Sequence, residues 1–169
     1  MNIKAYENII EIEYDDGSSY KFDWLRLNKY WEYANLEDNE GIRASFDGKY
    51  LTVILLVAQG QGGVAAIIDV KKDEIIHIHE ADYAVKVLPC GNKVVTLREV
   101  CNFAVKPHFY IDVIDMGNME YSSPEKGMKL DEYKNLDIDN LELTVNIGTG
   151  NVKIDDGKEK IELNISNLL

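Results

Sequence analysis

The 169-residue chain is poor in the features that would fix a function at once. It has two cysteines, Cys90 and Cys101, too few for a disulfide scaffold and without the repeated Cys-x-x-Cys spacing of a structural zinc site. Their flanks match no thiol-protease pattern, so structural thiols in a reducing compartment are expected. Long apolar runs are also missing. The longest, Leu51 to Ala58, is far short of the ~20 residues of a membrane helix and predicts a buried strand. Glu7 and Glu11 interrupt the N-terminal segment, which therefore does not resemble a secretory signal. A cytoplasmic location follows as an expectation. Asn164-Ile165-Ser166 fits a glycosylation sequon, but without a secretory signal it carries no weight.

Positive charge is scarce as well. Eighteen basic residues stand against thirty acidic ones, a formal net charge of −12. A nucleic acid or an anionic membrane needs a basic footprint, so neither is an expected partner. A basic protein is, because opposite charge speeds encounter. The acid is uneven. Residues 1–44 carry 5 basic and 10 acidic side chains, 45–110 carry 7 and 7, and 111–169 carry 6 and 13.

What the chain does have is period-two hydrophobicity, the mark of half-buried strands. Ile10, Ile12 and Tyr14 alternate with Glu11 and Glu13, and Asp15-Asp16-Gly17-Ser18 turns the chain toward Tyr20 and Phe22. Tyr50 to Val57 is apolar on both faces, as in a central strand. Val64 to Val70, Ile76 with Ile78, Tyr83 to Val87, Lys93 to Leu97 and Phe109 to Val113 continue the series. Leu141, Leu143, Val145 and Ile147 alternate with Glu142, Thr144 and Asn146, and Ile161, Leu163 and Ile165 close the chain. One segment breaks the pattern. Trp24, Leu27, Trp31 and Ala34 fall on one helical stripe behind Asp23, a plausible N-cap, and predict a helix near 23–35. Ser123-Pro124-Glu125 resembles a second, short helix start. The expected fold is one mainly β domain, 1–169, of antiparallel meandering sheets, a sandwich or a curled sheet, with one N-terminal helix.

Asp47-Gly48-Lys49-Tyr50-Leu51-Thr52-Val53 is echoed by Cys90-Gly91-Asn92-Lys93-Val94-Val95-Thr96-Leu97, and Ile67-Ile68-Asp69-Val70 by Val113-Ile114-Asp115-Met116, at offsets of 43 and 46 residues. Over residues 45–122 this resembles the blade pattern of β-propellers, though without a Trp-Asp signature. Consecutive antiparallel strands produce the same echo.

Few constellations carry chemistry. His77 and His79 lie two apart on a strand and share a face, as a metal pair would, with Glu80 or His108 as further ligands. The plainer account is two exposed polar residues opposite Ile76 and Ile78. The Gly-rich stretch 59–63 lacks the Gly-Lys-Ser/Thr ending of a phosphate loop and precedes a strand, so it reads as a hairpin turn. The Asp pairs fall mostly in turns. The acidic-aromatic stretch is less bland. Tyr30 and Tyr33 flank the helical stripe, and Glu37, Asp38 and Glu40 follow at once. Exposed aromatics beside acid form a protein-binding edge. Tyr30, Tyr33, Glu37, Asp38 and Glu40, with Asp137 and Asp139 of the acidic C-terminal part, are the candidate partner-binding residues. Catalytic residues, a cofactor and a metal are not expected. The reading that follows is a non-enzymatic interaction protein, an inhibitor or immunity-type protein that neutralises a basic partner such as a toxin. The alternative is a small enzyme or ligand-binding β domain with a metal or acid/base site around His77 and His79.

Overall fold

The computed structural model describes residues 1–30, 40–57, 62–102, 105–117, 127–130 and 136–169, with 101–102 and 105–107 as backbone only. Fourteen strands among them form four antiparallel sheets in which every neighbour in space is a neighbour in sequence. Contacts divide the chain into two compact units, residues 1–81 with 117–119 and residues 82–116 with 120–169.

The first unit holds β1 (Asn2–Tyr6), β2 (Ile9–Glu13) and β3 (Ser19–Asp23) in one sheet. Its second sheet is β4 (Gly41–Phe46), β5 (Tyr50–Val57), β6 (Gly62–Asp69) and β7 (Glu74–Glu80). Alternation places Ile10, Ile12 and Phe22 on one face of the first sheet and Leu51, Val53, Leu55, Val64, Ala66 and Ile68 on one face of the second, and these bury one core. Register makes the stripe continuous: Leu51 stands opposite Ile68, Val53 opposite Ala66, and Ala66 opposite Ile78.

The expected N-terminal α-helix is not confirmed among the described residues. Trp24–Lys29 forms a six-residue 3₁₀ helix instead. Its start is as the sequence implied: the Asp23 carboxylate accepts from the Leu25 N–H at 3.0 Å, and Trp24 and Leu27 are buried. In a 3₁₀ turn i and i+3 eclipse, so Trp24 and Leu27 share a face without an α-helix. Trp31 and Ala34 lie outside the described residues, as does the helix start at 123–125.

The second unit holds β8 (Ala84–Cys90), β9 (Lys93–Asn102), β10 (Val105–Asp115) and β11 (Met128–Lys129) in one sheet. β12 (Glu142–Asn146), β13 (Asn151–Asp155) and β14 (Lys160–Asn164) form the other. Val95, Leu97, Phe109 and Ile111 meet Leu141, Val152, Ile154 and Ile165 in its core, with Leu143, Val145, Ile161 and Leu163 packed alongside. Cys90 packs against the same core and is in no disulfide.

The sequence echo is a structural one. In each four-stranded sheet an echoed Gly turn leads into the second strand and an echoed Asp ends the third, Asp69 in β6 and Asp115 in β10. The core-facing residues fall between the two offsets. Core-facing Leu51 and Val95, like Val53 and Leu97, are 44 residues apart, and Ile68 and Val113 are 45 apart. The strand ends keep the offsets of the sequence, 43 from Tyr50 to Lys93 and 46 from Asp69 to Asp115.

Candidate functional site

Both four-stranded sheets also bury their second face, and there the polar groups collect. In the first unit Thr52 stands opposite Ile67 and Ile67 opposite His77, while Ile54 stands opposite Ala65 and Ala65 opposite His79. All six are buried, His77 at 3% exposure and His79 at 1%. The expectation of two solvent-facing histidines is therefore overturned. The cause is local as well as tertiary. A register shift between Ile67 and Ile68 makes Ile76 the extra residue of a β-bulge. Ile75 and Ile78, not Ile76 and Ile78, face the first core.

The two rings are joined. His77 Nε2 and His79 Nδ1 are 2.9 Å apart, and the Gly117 N–H donates to His77 Nδ1 at 2.9 Å. A nitrogen that accepts cannot carry the proton, so His77 holds its proton on Nε2 and donates it to His79. Burial pushes the His77 pKa down to about 4. Burial, with His77 beside it, pushes His79 down to about 3. Both rings are neutral at pH 7. A metal at His77 Nε2 would need that proton moved to Nδ1, where the Gly117 N–H already points. Among the described residues no group of three His, Cys, Asp or Glu side chains is placed to hold a metal ion.

The second unit repeats the motif with different chemistry. Thr96 stands opposite Asp112, and Arg98 opposite Tyr110, on the buried second face of its four-stranded sheet. The Arg98 guanidinium is fully buried. It donates through Nε to Asp112, and through Nη2 at 3.0 Å, and lies 5.5 Å from the centre of the Tyr110 ring. Gly127, at φ +84°, lets the chain pass this pair. A Cβ there would fall on the Asp112 carboxylate and 2.5 Å from the Ile111 carbonyl. The sequence reading assigned neither Arg98 nor Asp112 a part in a site. Only the alternation of charge with apolar residues inside strands hinted at them.

The candidate partner-binding residues are placed in part. Tyr30 ends the 3₁₀ helix and is 46% exposed. Glu40 is exposed and starts the way into β4, its N–H on the Leu56 carbonyl at 2.7 Å. Both belong to the first unit. Tyr33, Glu37 and Asp38 lie outside the described residues. Asp137 and Asp139 belong to the second unit. Asp139 is exposed in a 3₁₀ turn, Ile138–Asn140. Asp137 is tied down: it accepts from Asn140 Nδ2 at 3.0 Å and pairs with Lys158 at 3.4 Å, which hold its carboxyl below the usual range. Its own N–H donates to Asp156. Three backbone N–H groups, from Glu159, Asp137 and Lys158, push the Asp156 carboxyl down to about 2. That corner is a turn built on carboxylates, as the Asp-Asp-Gly sequence implied.

The glycine stretch joins strands that pair directly, with Val57 opposite Gly62, so it connects a hairpin and precedes no helix. Among the described residues no helix is long and apolar enough to cross a membrane. No protein family, curated protein or solved structure matches this chain.

Proposed function

We propose that this chain is a non-enzymatic interaction protein whose acidic surface engages a basic protein, as an inhibitor or immunity-type protein does. The observation that carries the reading is the exposure of Tyr30 beside a strongly acidic stretch of sequence, in the same unit as exposed Glu40. An exposed aromatic residue is ready to be buried by a partner, and the acid near it in sequence attracts positive charge. The state of His77 and His79 adds weight. They were the best candidates for acid/base or metal chemistry, and both are buried, neutral and hydrogen-bonded to one another. A cytoplasmic, sandwich-like acidic domain fits the same role.

The test is capture on the immobilised full chain at low salt. The expected catch is a basic protein, eluted by salt because screening shortens the reach of charge. A Tyr30→Ala/Glu40→Lys double variant loses it by about tenfold or more in affinity. Recovery of no basic protein, or of one indifferent to both salt and the double variant, overturns the proposal.

A further inference from the structure

The outer face of the β12–β14 sheet carries a site of a different kind. Pairing sets three rows of polar side chains across its three strands, and two of them border a hollow. Asn146, Asn151 and Asn164 form one row, and Thr144, Lys153 and Glu162 the next. Apolar residues between them in sequence pack toward the core, and two of them, Val152 and Leu163, also border the outer surface. The six, together with Val152 and Leu163, line a hollow of about 530 Å³, within the usual range for small-ligand sites. Strands ~4.8 Å apart and a two-residue repeat of ~6.8 Å give the grid a footprint of roughly 7 by 10 Å. That is the size of one to two pyranose rings.

The grid is held rigid by one side chain. Asn164 Nδ2 donates to the Thr149 carbonyl and to Asn151 Oδ1, both at 2.9 Å. Its Oδ1 accepts from the Ser166 N–H at 3.0 Å and from Ser166 Oγ at 2.5 Å. Gly150, at φ +70°, brings this turn so close that a Cβ would stand 2.7 Å from the Ser166 nitrogen. Asn146 Oδ1 accepts from the Thr149 N–H at 3.1 Å. These bonds use the oxygens of Asn146 and Asn151 and so turn their Nδ2 groups outward as donors. Among the described residues nothing is hydrogen-bonded to those two Nδ2 groups, to the Thr144 hydroxyl or to the Glu162 carboxylate.

The chemistry selects the ligand by elimination. An apolar molecule would strip water from six polar side chains and gain only the edges of Val152 and Leu163. An anion meets Glu162 and a chain of net charge −12, against one Lys153 ammonium that is 3.2 Å from Asp155. A cation meets that same ammonium, with Glu162 opposite it and Asp155 already paired to it. A neutral ligand rich in hydroxyls suits the set: each hydroxyl donates to Glu162 or accepts from amide and ammonium donors, and neighbouring hydroxyls engage two side chains at once. We infer that the outer face of β12–β14 binds a neutral saccharide. With no aromatic ring to stack on, affinity falls in about the millimolar range. This is independent of the acidic-surface reading and survives its failure.

The experiment is a ¹⁵N–¹H titration of the full chain with maltose, cellobiose, lactose and chitobiose, to tens of millimolar, with sodium phosphate as the anion control. At least one disaccharide should shift the backbone amides of 144–164 saturably while phosphate does not. Glu162→Gln keeps the shape and removes the charged acceptor, and should weaken that binding by about tenfold. Asn151→Ala should do the same through a lost donor, with the rest of the spectrum intact. No saturable shift at these amides with any of the four sugars overturns the assignment. So does an equal response to phosphate, or binding unchanged in both variants.

Discussion

A charge on His77 or His79 would sit in the buried face of a sheet, 2.9 Å from another imidazole. That makes the pair the residue-scale determinant of acid stability. Both folded pKa values lie below the ordinary 6.5, at about 4 and about 3. Above pH 6.5 neither state binds a proton and the pair leaves stability independent of pH. As pH falls from 6.5 toward 4 the unfolded chain takes up protons that the folded chain refuses, so stability drops by about 1 kcal/mol per pH unit for each histidine. Urea unfolding at pH 7, 5.5 and 4.5 should show this fall. It should flatten in His77→Gln or His79→Gln, whatever either variant costs at pH 7. An equally steep fall in both variants would place the loss on carboxylates instead. Sequence spacing put these two rings on one face correctly. It gave that face to solvent because a repeat of period two does not say whether a sheet is covered once or twice, and a one-residue bulge breaks the count.

At the scale of elements, one carboxylate ties the first sheet, the 3₁₀ helix and the β6–β7 turn together. Asp73 Oδ1 accepts from the Tyr20 hydroxyl at 2.6 Å and from Arg26 Nη1 at 2.7 Å, and its carbonyl accepts from Arg26 Nη2 at 2.8 Å. The Arg26 guanidinium also lies over the Phe22 ring at 5.1 Å. The Asp73 carboxyl is held low by Tyr20 first and Arg26 second. Desolvation and the same carboxylate raise the Tyr20 phenol. Asp73 sits at φ +54°, a conformation that Asp and Asn tolerate better than most residues. The group is partly exposed, which limits its worth. Asp73→Ala should therefore cost about 1–2 kcal/mol and Asp73→Asn less than half of that, read from chemical unfolding. An Asn variant as damaged as the Ala variant would shift the weight from the backbone conformation and hydrogen bonds to the charge itself. None of this clamp was legible in the sequence, since Asp73 is 53 residues from Tyr20. The Asp23 cap was legible because a cap is a contact over two residues.

Across the whole molecule, thirty carboxylates against eighteen cations leave a folded state that repels itself. Raising sodium chloride from low to moderate strength should screen that repulsion and lift the melting temperature by about 2–5 °C. Scanning calorimetry checks the sign. A fall would mean that surface pairs such as Lys4 with Glu13, at 2.6 Å, outweigh the net charge. The sequence by itself determined the strands, their turns and their polarity, because alternation, Asp-Gly turns and charge balance act over a few residues. It also carried the repeat that became two four-stranded meanders. It did not determine that each meander buries a second face, nor that His77 meets His79 there and Arg98 meets Asp112. It did not determine that three asparagines from three strands line up beside a hollow. Those facts belong to the tertiary structure, because burial and cross-strand register depend on what each strand is laid against, which no local pattern records.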